Sequence, residues 1–238
     1  MLTLIITQAD LNERNEYAAS SDLHYEGHIE IDAGTVSVRF RGSVTADGSL
    51  TAKNGGIAAG ESITVGGSIK ADWYINAASY IDAQGDITAR GSVIAGEGIE
   101  AGGSIEAGWC ISAGESITAG AGVKSGWFIA AGGSITAGWS ITSDGDITTE
   151  WNIEAGESLE AGAHIEAGGS ITVGRGIRAD CSITAGTSIA AKLRIFAGVS
   201  TDRPLTPDEE MVVCAELLAG TIAHGKLKIV PTTSGRTS

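Results

Sequence analysis

Gly132-Gly133-Ser134-Ile135-Thr136-Ala137-Gly138-Trp139-Ser140-Ile141-Thr142-Ser143 holds two copies of one six-residue unit, and that unit decides the fold. Outward in both directions an aliphatic residue returns at every sixth position, from Ile57, Ile63 and Ile69 through Val93, Val123 and Leu159 to Ile195. Six residues at about 100° each turn a helix by about 240°, so no helical face collects this series. A short strand followed by a corner returns it every time. The expected architecture is all-β, a single-stranded parallel β-helix (β-solenoid) of hexapeptide repeats whose coils stack and bury their aliphatic side.

Within each unit the Ile and the Ala two residues later share one side of the strand, as in Ile105/Ala107 and Ile135/Ala137, and form the core pair. The residues beside the Ile, such as Ser134 and Thr136, point to solvent. Gly follows the Ala in most units, which suggests a corner needing positive φ. Three hexads per turn give a triangular coil of 18 residues. Two give a flat coil of 12, which the alternation Gly133, Trp139, Gly145, Trp151 supports. Three fill a narrow prism better, with three Ile and three Ala per layer, and 18 is the expected period.

The flanks are less regular. Residues 1–37 read as an N-terminal cap: Leu2, Leu4 and Ile6 alternate as a strand, Ala9 to Ala19 suits one polar helix, and Ile29 and Ile31 begin a second strand. Residues 38–199 are the solenoid, with one extra residue at the corner Lys53-Asn54-Gly55-Gly56. Residues 200–238 read as a C-terminal cap and tail. Pro204 and Pro207 interrupt the coils there. Val213 returns 18 residues after Ile195, consistent with a resumed coil, although Met211 to Leu218 also fits a short helix. Thr221 to Val230 alternates as a closing strand.

A net charge of -14 and a pI near 4.6 argue against a nucleic-acid backbone or an anionic membrane as direct partner and permit a basic protein partner. No apolar run is long enough to span a bilayer, and the first residues lack signal-peptide features, so a cytoplasmic location is expected. Cys110, Cys181 and Cys214 are widely spaced and read as free thiols. His24 and His28 bracket Tyr25-Glu26-Gly27, a spacing that suits two metal ligands only on a helix, which Gly27 disfavours. Gly96-Glu97-Gly98-Ile99-Glu100-Ala101 spells a dinucleotide fingerprint, but here it is the repeat itself. No catalytic, cofactor or metal residues are expected.

Two features stand above this background. All five tryptophans, Trp73, Trp109, Trp127, Trp139 and Trp151, fall in one hexad slot, the outward corner. Exposed Trp marks a contact surface, while the alternative is that each ring folds over glycine on the next coil. With 18 residues per coil, Trp73, Trp109 and Trp127 align on one corner beside Tyr74 and Phe128; with 12, Trp127, Trp139 and Trp151 align instead. The second feature is an outward Ser-x-Thr pattern, as in Ser116/Thr118 and Ser170/Thr172, reminiscent of ice-binding ranks but interrupted by Asp82, Glu100, Glu154 and other charges.

The hexads Gly-Gly-Ser-Ile-Thr-Ala and Asp-Gly-Asp-Ile-Thr resemble the Gly-rich repeats of polymer-forming β-helical proteins, the bactofilin and flagellar assembly protein A type, and acidic solenoid proteins of bacteria and their phages. The resemblance covers about residues 38–195 and implies architecture, with no functional motif carried over. The expected function is a non-enzymatic interaction protein that presents a rigid acidic surface to a protein partner. A basic nucleic-acid-binding protein is one such partner, and its occlusion would make this chain a phage or mobile-element inhibitor. The alternatives are a polymer-forming scaffold and an ice-binding protein, and a homo-oligomer is also open.

Overall fold

The structure, a computed structural model, describes residues 2–17, 21–199, 206 and 210–230. The hexads form three-residue strands, Ile105–Ala107 and Ile135–Ala137 among them, each with both ends buried and the middle residue facing out. Strands pair in parallel with the strand three hexads away: Ile75 stands opposite Val93, Val93 opposite Ile111, and Ile111 opposite Ile129. The coil is therefore triangular with 18 residues per turn, and the flat 12-residue alternative is excluded. Among the described residues eleven strands make up one face, so the stack is roughly 48 Å from the first rung of that face to the last.

For orientation, the face that contains Val93–Ala95 is called face 1, that of Ile99–Ala101 face 2 and that of Ile105–Ala107 face 3. The core is one continuous column of Ile, Val, Leu and Ala. Every hexad Ile is essentially inaccessible to solvent, and each such burial contributes on the order of 1.5–3 kcal/mol before chain entropy is set against it.

The corner glycines do not have the positive φ expected of them. Among the described residues, left-handed glycines are Gly34, Gly198, Gly220 and Gly225, all outside the regular hexads. Close stacking explains the preference. A Cβ on Gly108 would come within 2.0 Å of the Arg90 carbonyl oxygen one coil away, and one on Gly114 within 2.0 Å of the Gly96 carbonyl. Where the slot holds a side chain the coil yields slightly. In the regular hexads from Asp72 on, the rung from the slot's N–H runs from 3.1 Å at Gln84 and Asp180 to 3.3 Å at Arg90, Asp144 and Glu150, against 2.9 Å at Gly102 and Gly174 to 3.2 Å at Gly114. The inserted residue sits where expected, with Asn54 left-handed at φ 57° in the corner between Leu50–Ala52 and Ile57–Ala59.

The ends differ from expectation in three respects. No helix runs from Ala9 to Tyr17: Gln8–Asp10 is a single 3-10 turn, and the chain then folds back through a Leu11–Tyr17 bridge, while Ala18 and Ala19 lie outside the described residues. The polar side chains there bond locally instead of supporting a helix; the Asn12 side chain takes the N–H of Arg14 and of Glu16. Second, the stack is already running: Leu2–Thr7 pairs in parallel with Gly27–Asp32, Leu23–Tyr25 with Val44–Ala46, and Glu16 with Arg39. On face 3 Leu4 stands opposite Ile29, Ile29 opposite Leu50 and Leu50 opposite Ile69, so successive coils take 25, 21, 19 and then 18 residues.

Third, the chain after Ala197 returns as strand, not helix. Met211–Cys214 pairs with Ile183–Ala185, and it is Val212, not Val213, that points inward. The single closing strand expected from Thr221 to Val230 is instead two, Glu216–His224 and Lys226–Ile229, which lie on different faces and are divided at left-handed Gly225. The interruption at Pro204 and Pro207 and the tail 232–238 lie outside the described residues.

Candidate functional site: an aromatic corner beside an uncharged face

Five of the second corner positions are Trp, and all five side chains are exposed. Their exposures are 46% at Trp73, 65% at Trp109, 63% at Trp127, 63% at Trp139 and 64% at Trp151. The 18-residue period divides them. Trp73, Trp109 and Trp127 lie on the corner between faces 3 and 1, with Gly91 between the first two and Tyr74 and Phe128 beside the outer pair. Backbone rungs link them in order: Gly91 N–H to the Trp73 carbonyl, Trp109 to Gly91, Trp127 to Trp109. Trp139 stands on the corner between faces 2 and 3, and Trp151 on that between faces 1 and 2, so neither joins this ridge.

Ring placement separates the two readings of these tryptophans. Tyr80 folds flat along the rod: two of its ring carbons lie 3.2 Å from where a Cβ on Gly98 would be, and its hydroxyl reaches Glu115 Oε2 at 3.3 Å. Glu115 and Glu97 hold the phenol above its ordinary pKa. Trp127 also leans over a glycine, with Cδ1 3.5 Å from the corresponding point on Gly145, and meets Phe128 edge-on at 5.5 Å between centroids. Gly91 is different. The three atoms nearest its Cβ position are backbone atoms of Trp73 and Tyr74, the third of them at 3.7 Å. A notch of about 360 Å³ lies at this corner, lined by Asp72, Trp73, Tyr74, Arg90, Gly91, Ser92 and Trp109.

The face next to this ridge carries an unusual rank. Its outward residues on successive coils are Ala58, Asn76, Ile94, Ser112, Ala130 and Thr148, six in a row with no charge. Arg39 precedes them and Glu166 follows. Faces 2 and 3 over the same span carry Asp82, Glu100, Lys70, Glu106 and Lys124. The Ser-x-Thr ranks are broken in the same way, Thr64 being followed by Asp82 and Glu100 before Thr118. The uncharged strip thus has Trp73, Trp109 and Trp127 along one border and Tyr80 and Trp151 along the other. The sequence reading found the tryptophans but not the strip, because its members stand three hexads apart and share no residue type.

Two buried hydroxyl residues hold the Trp-bearing corners. From Glu61 to Leu193 the second corner residue donates its N–H to the matching carbonyl one coil back, with two breaks among the described residues: Gly145 to Trp127, and Trp151 to Gly133. At the first break Ser143 Oγ donates to the Trp127 carbonyl at 2.9 Å and accepts the Gly145 N–H at 3.3 Å, while the Ser125 hydroxyl lies 3.1 Å from it. At the second, Thr149 Oγ1 donates to the Gly133 carbonyl and accepts the Trp151 N–H at 3.4 Å. Ser143 and Thr149 occupy core slots that are Ala in most coils.

The remaining candidates resolve locally. His24 and His28 sit on separate strands, and His28 Nδ1 accepts the Ser49 N–H at 3.0 Å. Cys110, Cys181 and Cys214 are buried thiols outside any disulfide, Cys110 lying 3.0 Å from the Ser92 hydroxyl, and burial pushes the Cys214 thiol up. No helix among the described residues is long and apolar enough to cross a membrane. No protein-family model matches this chain, and neither a curated protein nor a solved structure matches it.

Proposed function

We propose that this chain is a non-enzymatic interaction scaffold: a rigid acidic rod that presents face 1 and its aromatic border to a protein partner. The observation that carries the reading is the uncharged strip from Ala58 to Thr148 flanked by exposed Trp73, Trp109 and Trp127. Contact surfaces are depleted of charge at their centre and enriched in Trp, and a stiff stack meets a partner with little ordering cost. A net charge of -14 around the strip favours a basic partner. A nucleic-acid-binding protein has that character, and an acidic rod seated on it would keep nucleic acid off, the action of an inhibitor from a phage or mobile element in a cytoplasm.

The test is capture of partners from the host lysate on wild-type rod and on Trp109→Ala/Trp127→Ala and Ile94→Glu variants, followed by affinity measurement on each purified partner. Both variants should keep the wild-type circular dichroism and lose on the order of 2 kcal/mol or more of binding, as interface anchors do. Full binding by both variants would remove the site.

A second reading, a bactofilin-like scaffold that stacks end to end, is supported by the terminal coils. Leu2 is 75% and Ile5 56% exposed at one end, and Leu227, Ile229 and Val230 are 43 to 48% exposed at the other. Sedimentation over a concentration series separates the readings, since open stacking grows with concentration and a closed rod does not.

A further inference from the structure

We propose that the notch over Gly91 is a binding site for one pyranose unit of a neutral glycan. Trp73 and Trp109 stand two coils apart on the same corner, roughly 10 Å between attachment points with Gly91 on the rung between them, and both line the notch. A notch walled by two indoles takes a flat or nearly flat ring against an aromatic face.

The surroundings select among rings. A nucleotide base brings phosphate, which a molecule of net charge -14 repels. A purely apolar ring leaves the polar lining unmet, since Asp72, Arg90 and Ser92 are among the residues that line the notch. Asp72 is fixed by the Asn54 N–H on Oδ2 at 2.8 Å and by Arg90 Nε at 3.4 Å on Oδ1. The Arg90 side chain is 81% exposed, and its other N–H groups are available to donate. Ser92 Oγ accepts from the Cys110 thiol, which leaves its own proton to give. A pyranose matches both halves of this site, with C–H faces for the indoles and hydroxyls at its rim for a carboxylate, a guanidinium and a hydroxyl. It is uncharged, so the acidic rod does not oppose it.

The rod also suits more than one unit. Next along the corner, Gly108, Trp109, Gly126 and Trp127 form a second cleft of about 370 Å³. Coils repeat at about 4.8 Å, close to the advance of one hexose in an extended glycan, so a chain laid along the corner keeps step with the rungs.

Isothermal titration and indole emission with cellohexaose, chitohexaose and maltohexaose as probes test the site. At least one should bind saturably with a shift of Trp emission. Trp73→Ala and Trp109→Ala should each weaken it about tenfold or more, on the order of one aromatic anchor, and Ser92→Ala by a few-fold. Ile94→Glu, on face 1 outside the notch, should bind sugar as wild type does while losing the protein partner, which keeps this site distinct from the scaffold reading. Three silent probes at millimolar concentration overturn the assignment. So does sugar binding that survives both Trp substitutions, or competition by adenosine monophosphate or N-acetyltryptophanamide as effective as the sugar itself.

Discussion

Ser143 and Thr149 show how little separates a core residue from a site residue in this chain. Each replaces an Ala and brings one hydroxyl to a place where the corner ladder has lost a backbone bond, and each break lies at a Trp. Ser143→Ala should therefore cost about 1–3 kcal/mol, because the Trp127 carbonyl and the Gly145 N–H lose their shared partner inside the stack. Chemical unfolding measures the loss, with Ser116→Ala on the surface as the control expected to change little. The Gly145 amide should exchange faster in the variant. A variant as stable as wild type would mean that the Gly145 rung closes directly once the hydroxyl is gone. None of this was legible beforehand, since Ser and Thr for Ala in a hexad reads as ordinary variation.

At the scale of single coils, legibility followed regularity. The period of six placed every strand from Val38 to Ile195 because burial of one face per unit leaves no other solution. At the N-terminal end it placed the strands at Leu2 to Ile6 and at Ile29 and Ile31 but put a helix between them, because there the number of residues per coil is not fixed by stacking: the first coils are longer, and their excess goes into surface turns whose polar residues bond locally. That first coil has its own weak point. The Asn12 side chain and the Arg41 guanidinium, the latter 2.9 Å away, hold the Glu16 carboxyl below its ordinary range. A carboxyl with a depressed folded pKa contributes stability above its unfolded value and loses it as pH falls through the folded one. Hydrogen exchange around Tyr17 and Arg39, whose backbones are bonded at 2.9 Å, should accelerate below about pH 4 while the middle coils stay protected. Uniform loss of protection along the chain would show that the first coil is not an independent unit.

For the whole molecule, the period decided the surface as much as the core. With 12 residues per coil Trp127, Trp139 and Trp151 would have shared an edge; with 18 they point in three directions, and Trp73, Trp109 and Trp127 align. The same choice brings Ala58, Asn76, Ile94, Ser112, Ala130 and Thr148 into one rank, a property no local window of sequence displays. Charge is distributed by face: acids and bases occupy faces 2 and 3, and face 1 is left bare over six coils.

Because the middle coils are interchangeable in length, distance along this rod is counted in whole steps and direction around it does not drift. Excision of residues 75–92, one full coil, should leave every remaining rung paired, shorten the rod by about 4.8 Å and set Trp73 directly against Trp109, closing the gap over the lost Gly91. Small-angle scattering would report the shortening, and indole emission the new neighbour; a cut of six or twelve residues instead should turn every later corner onto a different side. Gene segments that recombine between such repeats can respace the marks on this ruler without having to invent a new fold.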